Sequence, residues 1–268
     1  MRKFLTQWAK LAALMLLSNQ VWAEQVFIDH CKHGCPVGGG GAGTLVARHL
    51  FAAAINDKGL ADWVAYKVFA ETVGVASLFP RLWQAEPLIE IAVSKAQLDT
   101  SPRFVQPNLE NSQDREYRVN EIRLLNDERG RLAPMTSFAN TPYLHELNLL
   151  SNMSPLPPNL RLGPWSRLDQ AVNESSAQGG YFYVVSGPLE VAAQSMPAAL
   201  EAARFFKVIA KDNRLAAFLF PAEVAPQVSY CQYQLSLAEL EQLSQIDFFP
   251  TFDSHWLEDL ADEFGCSH

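Results

Sequence analysis

Apolar positions along this chain fall into short runs separated by turn residues, with helical spacing in only a few places. Leu45-Val46-Ala47-Arg48-His49-Leu50-Phe51 reads as one strand. Asn56-Asp57-Lys58-Gly59 is a turn signal, and Trp63-Val64-Ala65-Tyr66-Lys67-Val68 is the returning strand of a hairpin. Tyr181-Phe182-Tyr183-Val184-Val185-Ser186-Gly187-Pro188 reads as a buried strand ended by Gly-Pro. Phe206–Ala210 and Leu215–Phe220 flank Lys211-Asp212-Asn213-Arg214 as a second hairpin. Trp165, Leu168 and Val172 share one face at helical spacing, with Asn159 as the expected N-cap after Pro157-Pro158. Ser236-Leu237-Ala238-Glu239 is a capping box that opens a helix through about Gln245. Residues 98–120 are polar with scattered prolines and read as a surface excursion. No internal repeat is present. Hairpins mixed with helices, without strand–helix–strand alternation, predict an α+β domain.

The N-terminus departs from this pattern. Arg2, Lys3 and Lys10 precede the apolar run Leu11–Leu17, and Val21-Trp22-Ala23 follows as a small-x-small cleavage signal. That order predicts a secretory signal peptide over residues 1–23, and the run is too short to span a bilayer. A single mature domain over residues 24–268 follows, exported to the periplasm or the exterior, with no further membrane segment. Loss of Arg2, Lys3 and Lys10 from 21 Lys and Arg leaves 18 against 29 Asp and Glu, a net charge of −11. Nucleic-acid binders are usually basic, so any such site here must be a local basic patch on an acidic body.

Export also colours the four cysteines. Cys31 with Cys35 and Cys231 with Cys266 is the simplest of three disulfide connectivities. A Cys/His metal site using His30 and His33 competes with it, but the spacing is not that of a zinc ribbon. The Gly-rich stretch Gly38–Gly43 leads into a strand rather than a helix, so it reads as a loop and not a phosphate cradle.

The most informative segment is Asp127-Glu128-Arg129-Gly130-Arg131-Leu132-Ala133-Pro134-Met135. It resembles the motif Asp-Arg-Gly-His, apolar, Ala, Pro of the secreted DNA/RNA non-specific endonucleases, a family that includes bacterial extracellular nucleases and the mitochondrial endonuclease G group. Further pieces match in order: Arg81-Leu82-Trp83, Leu147–Pro155, Gly163-Pro164-Trp165-Ser166-Arg167-Leu168-Asp169, Phe206-Lys207-Val208 and Cys231-Gln232. The resemblance implies a ββα-metal (His-Me finger) nuclease fold with a central antiparallel sheet flanked by helices.

It also implies a chemistry. A histidine takes a proton from water, and one Mg2+, held by a single asparagine, offsets charge on the phosphate. Carried over by position, the arginine beside the base is Arg129 and the upstream arginine is Arg81. The supporting asparagine is Asn152, the helix acid is Asp169, and the first motif acid is Glu128. The base position holds Arg131, and the metal-ligand position, four residues before Trp165, holds Arg161. Asn159 lies six residues before Trp165, and a turn of ~3.6 residues points it away from the face of position 161.

Guanidinium has a pKa above about 12 and only donors, so Arg131 cannot act as a base. A cation at position 161 repels magnesium, which requires oxygen ligands. Both changes point to a pseudoenzyme that keeps its scaffold. Three roles follow: a non-cleaving binder of the DNA or RNA backbone, an active endonuclease with a relocated base such as His145, or a structural, partner-binding protein. In the third, the arginines pair with Asp169, Glu128 and Asp127. Some relatives form homodimers, and the sequence leaves that open. Trp63, Trp83 and Trp165 read as core, and His30, His33, His49 and His255 have no spacing that singles them out.

Overall fold

The computed structural model describes residues 27–39, 43–56, 61–76, 84, 86–89, 129–189, 204–252 and 255–266. The expected signal peptide, the 98–120 excursion, Asp127, Glu128, Arg81 and Trp83 lie outside them.

Eleven strands are present among the described residues: β1 (Val37–Gly38), β2 (Thr44–Ala47), β3 (Phe51–Ile55), β4 (Ala61–Phe69), β5 (Arg129–Arg131), β6 (Met153–Pro155), β7 (Tyr181–Leu189), β8 (Arg204–Lys211), β9 (Arg214–Pro221), β10 (Gln234–Leu235) and β11 (Ile246–Asp247). Seven of them form one antiparallel sheet in the order β10-β9-β8-β7-β4-β3-β2. Two helices, α1 (Ser166–Ala177) and α2 (Leu237–Ser244), pack on it.

Both faces of the sheet are covered, which explains why its strands read as apolar runs with little alternation. Val64, Tyr66, Val68, Phe182 and Phe218 pack with Trp165, Leu168 and Val172 beside α1. Their neighbours Trp63, Ala65, Val185, Phe206 and Val208 pack on the opposite face with Leu237 and Leu240 of α2. Period-two geometry puts successive residues on opposite faces, and here both faces meet apolar partners. The α+β class and the antiparallel sheet agree with expectation, as do the hairpin at Asp212-Asn213 and the capping box at Ser236 and Glu239.

Three local expectations are corrected. Leu45–Phe51 is not one strand: the chain reverses over Arg48-His49-Leu50, with the Arg48 amide donating to the Phe51 carbonyl at 2.8 Å, and β2 then pairs with β3. Gly187-Pro188 does not end β7, which continues to Leu189. A Cβ on Gly187 would sit 2.3 Å from the Asp62 carbonyl, so glycine permits close strand approach there. Pairing of β7 with β4 stops at Ser186, so Pro188 lies beyond that ladder and its missing N–H costs nothing there. The third correction concerns Asn159. The helical turn Pro158–Leu160 is preceded by Pro157 without a side-chain cap, and Asn159 lies inside the turn. Proline at the first helical position supplies the fixed φ that starts a helix.

Both disulfides follow the local pairing, Cys31–Cys35 and Cys231–Cys266, with Cα separations of 4.7 and 5.3 Å. The cysteines of the first pair are therefore not metal ligands. Among the described residues no helix is long and apolar enough to cross a membrane.

Candidate functional site

The motif segment folds as β5, paired antiparallel with β6 through Arg129–Pro155, Gly130–Ser154 and Arg131–Met153. Gly130 is demanded by packing. A Cβ there would meet the Leu156 side chain at 2.3 to 2.9 Å, and Leu156 is wholly buried. After β6 the chain enters the turn Pro158–Leu160, then a wide turn Arg161–Trp165 broken at Gly163 (φ −102, ψ −119), then α1. Two strands and a helix thus form one ββα unit.

This unit borders an open groove of about 740 Å³, lined by Arg131, Arg161, Trp165, Asp169, Asn173 and Glu174 among others. Arg131 and Arg161, 30 positions apart in sequence, therefore line the same groove. Asn159 faces a separate depression with Pro157, Pro158 and Val224. Arg161 and Asn159 therefore line different depressions.

The remaining candidates divide. Asn152 is fully buried, and its amide is consumed by the backbone. Oδ1 accepts from the Ala133 amide at 2.8 Å, and Nδ2 donates to the carbonyls of Ala133 (3.0 Å) and Leu147 (3.1 Å). Asn152 therefore positions the exit of β5, and its side chain is wholly buried. Asp169 is buried at the base of the groove and is engaged by Lys207. Arg129 contributes its backbone to β5. Arg81 and Glu128 lie outside the described residues.

Two residues escaped sequence reading. Asn148 accepts from the Arg131 guanidinium at 2.6 Å. Lys207 is completely buried in β8, bonded to Asp169, with its ammonium 4.1 Å from the centre of the Trp165 ring. Burial pushes the Asp169 carboxyl up and the Lys207 ammonium down, each partly offset by the partner's charge. A lone lysine inside Phe206-Lys207-Val208-Ile209 was the available signal, because an unpaired ammonium has no place in such a strand.

The donor set does not fit magnesium. Position 161 is cationic, position 131 is cationic, Asn152 is committed to backbone, and Asp169 is paired with a lysine. Among the described residues no three His, Cys, Asp or Glu side chains cluster as a metal site. His145 is exposed on the 3-10 helix Leu144–Asn148 and does not line the groove.

A large antiparallel sheet carrying a ββα unit over a groove defines an α+β protein of the ββα-metal nuclease fold. Residues 29–255 match the DNA/RNA non-specific endonuclease family, and the chain belongs to that family. It is 28% identical over 253 residues to a nuclease of Serratia marcescens, covering 90% of this chain and 87% of that protein. It is also similar in fold to a chain of the crystallised EndoG/EndoGI complex, a structure concerned with the mechanism of EndoG inhibition. That likeness has a TM-score of 0.56 at 18% identity, over 80% of this chain and 88% of the other.

Proposed function

We propose that this protein binds the sugar-phosphate backbone of DNA or RNA in the arginine-lined groove and has lost phosphodiester hydrolysis. The carrying observation is that Arg131 and Arg161, which the family resemblance sets at the positions of base and metal ligand, line one groove. Two guanidinium groups keep the positive charge that a divalent cation would contribute. Their planar donor forks match phosphate oxygens, but they cannot accept a proton from water. Lys207 offsets Asp169, the helix acid of the family pattern, so the described groove lining sets two arginines against one other acid, Glu174. Family membership supports a nucleic-acid ligand. We further propose that residues 1–23 direct export and that residues 24–268 act as one domain.

The test is a plasmid-digestion and binding assay of wild type beside the double variant Arg131→His with Arg161→Asn, across magnesium and manganese. Cleavage by the double variant alone, with salt-sensitive binding by wild type, is the expected result. Metal-dependent cleavage by wild type overturns the loss of hydrolysis. Absence of salt-sensitive binding to any DNA or RNA overturns the binding role.

A further inference from the structure

We propose that the stacked rings of Tyr143 and His49 form a subsite for an unpaired nucleobase beside the arginine groove, so that the preferred ligand is single-stranded. This rests on the backbone-binding reading and specifies its substrate class. The two rings are parallel, 3.8 Å between centroids and 3° between planes. Both are open to solvent: Tyr143 is 39% exposed, and the His49 side chain 59%.

An exposed pair would ordinarily sample several rotamers, but here the imidazole is anchored. His49 sits at the reversal between β2 and β3, and buried Glu146 gathers three donors from it. These are the His49 amide at 2.9 Å, the Leu50 amide at 3.3 Å and His49 Nδ1 at 2.7 Å. Pre-ordering of an aromatic surface lowers the entropy cost of stacking a base on it. Glu146 is itself buried, with its oxygens engaged by these groups.

The platform is tied to the groove through one short element. Glu146 and Asn148 lie on the same 3-10 helix, and Asn148 accepts from Arg131 at 2.6 Å. Tyr143 immediately precedes that helix and Asn148 is its last residue, so the stretch between them is about 10 Å long at ~2 Å rise per residue. A phosphate on Arg131 and a base on Tyr143 are therefore linked by one short stretch of chain, on the scale of a few nucleotides of a single strand. A base inside a duplex has both faces covered by its neighbours, whereas a single strand offers a free face to an aromatic ring.

The experiment uses the full mature chain at low salt with two probes, a short oligodeoxythymidylate and an abasic oligomer of equal length and charge. Wild type is expected to bind the thymidylate more tightly. Tyr143→Ala should weaken thymidylate binding roughly tenfold or more while leaving the abasic probe unchanged. Retained abasic binding also shows that the variant is folded. Tyr143→Phe should behave as wild type, since stacking needs the ring and not the hydroxyl. Equal loss on both probes, or no loss on either, overturns the subsite. Wild type binding neither probe overturns the backbone-binding reading on which it rests.

Discussion

Lys207 and Asp169 form an ion pair buried beneath the groove, with Lys207 wholly inaccessible and Asp169 7% exposed. Removal of one partner from such a pair leaves a charge stranded in a low-dielectric interior. Lys207→Met should therefore destabilise the fold by about 3–5 kcal/mol. Chemical denaturation at neutral pH measures this.

The same variant has a defined pH dependence. Burial already raises the Asp169 carboxyl above its ordinary value, and loss of the ammonium raises it further. A carboxyl with a raised folded-state pKa contributes most below its unfolded value, and that contribution is lost as pH rises through the folded value. The stability deficit of Lys207→Met against wild type should thus be largest at neutral pH and shrink towards pH 4. A deficit constant with pH would show that Asp169 is not the stranded group.

Gly130→Ala should cost about 1–3 kcal/mol, because the new methyl overlaps Leu156. The companion change Leu156→Ala should rescue part of the loss. A thermal-melt double-mutant cycle checks the coupling, and strict additivity would refute the clash.

Arg131→Ala and Arg161→Ala should each weaken oligonucleotide binding and lower the slope of log affinity against log salt by about one. Titrations across a salt series measure the slope. An unchanged slope in either variant means that its guanidinium does not meet a phosphate.

Replacement of Cys231 and Cys266 by alanine should cost about 4 kcal/mol, since that bridge closes a loop between positions 35 apart. The Cys31–Cys35 bridge spans only 4 positions, and its removal should cost less. Urea midpoints of the two paired variants order the effects.

Much of the fold was legible in sequence because it rests on local signals. The capping box at Ser236 and Glu239, the Asp212-Asn213 turn and the apolar run from Tyr181 each encode their element within a few residues. Errors arose where a local signal had two outcomes. Arg48-His49-Leu50 has no glycine or proline to mark its reversal, and Gly187-Pro188 resembles a stop although sheet packing carries the strand through it.

The site divides along the same line. By itself the sequence determined that arginines stand at positions 131 and 161, because residue identity and spacing need no coordinates. Only the tertiary structure decided what those residues meet. Folding joins β5 to the wide turn before α1 around one groove, commits Asn152 to backbone, and sets Asn148 on Arg131. It also brings Lys207 from β8 onto Asp169, 38 positions away in the chain, a contact that no periodicity could encode because it depends on which faces of two separate elements pack together.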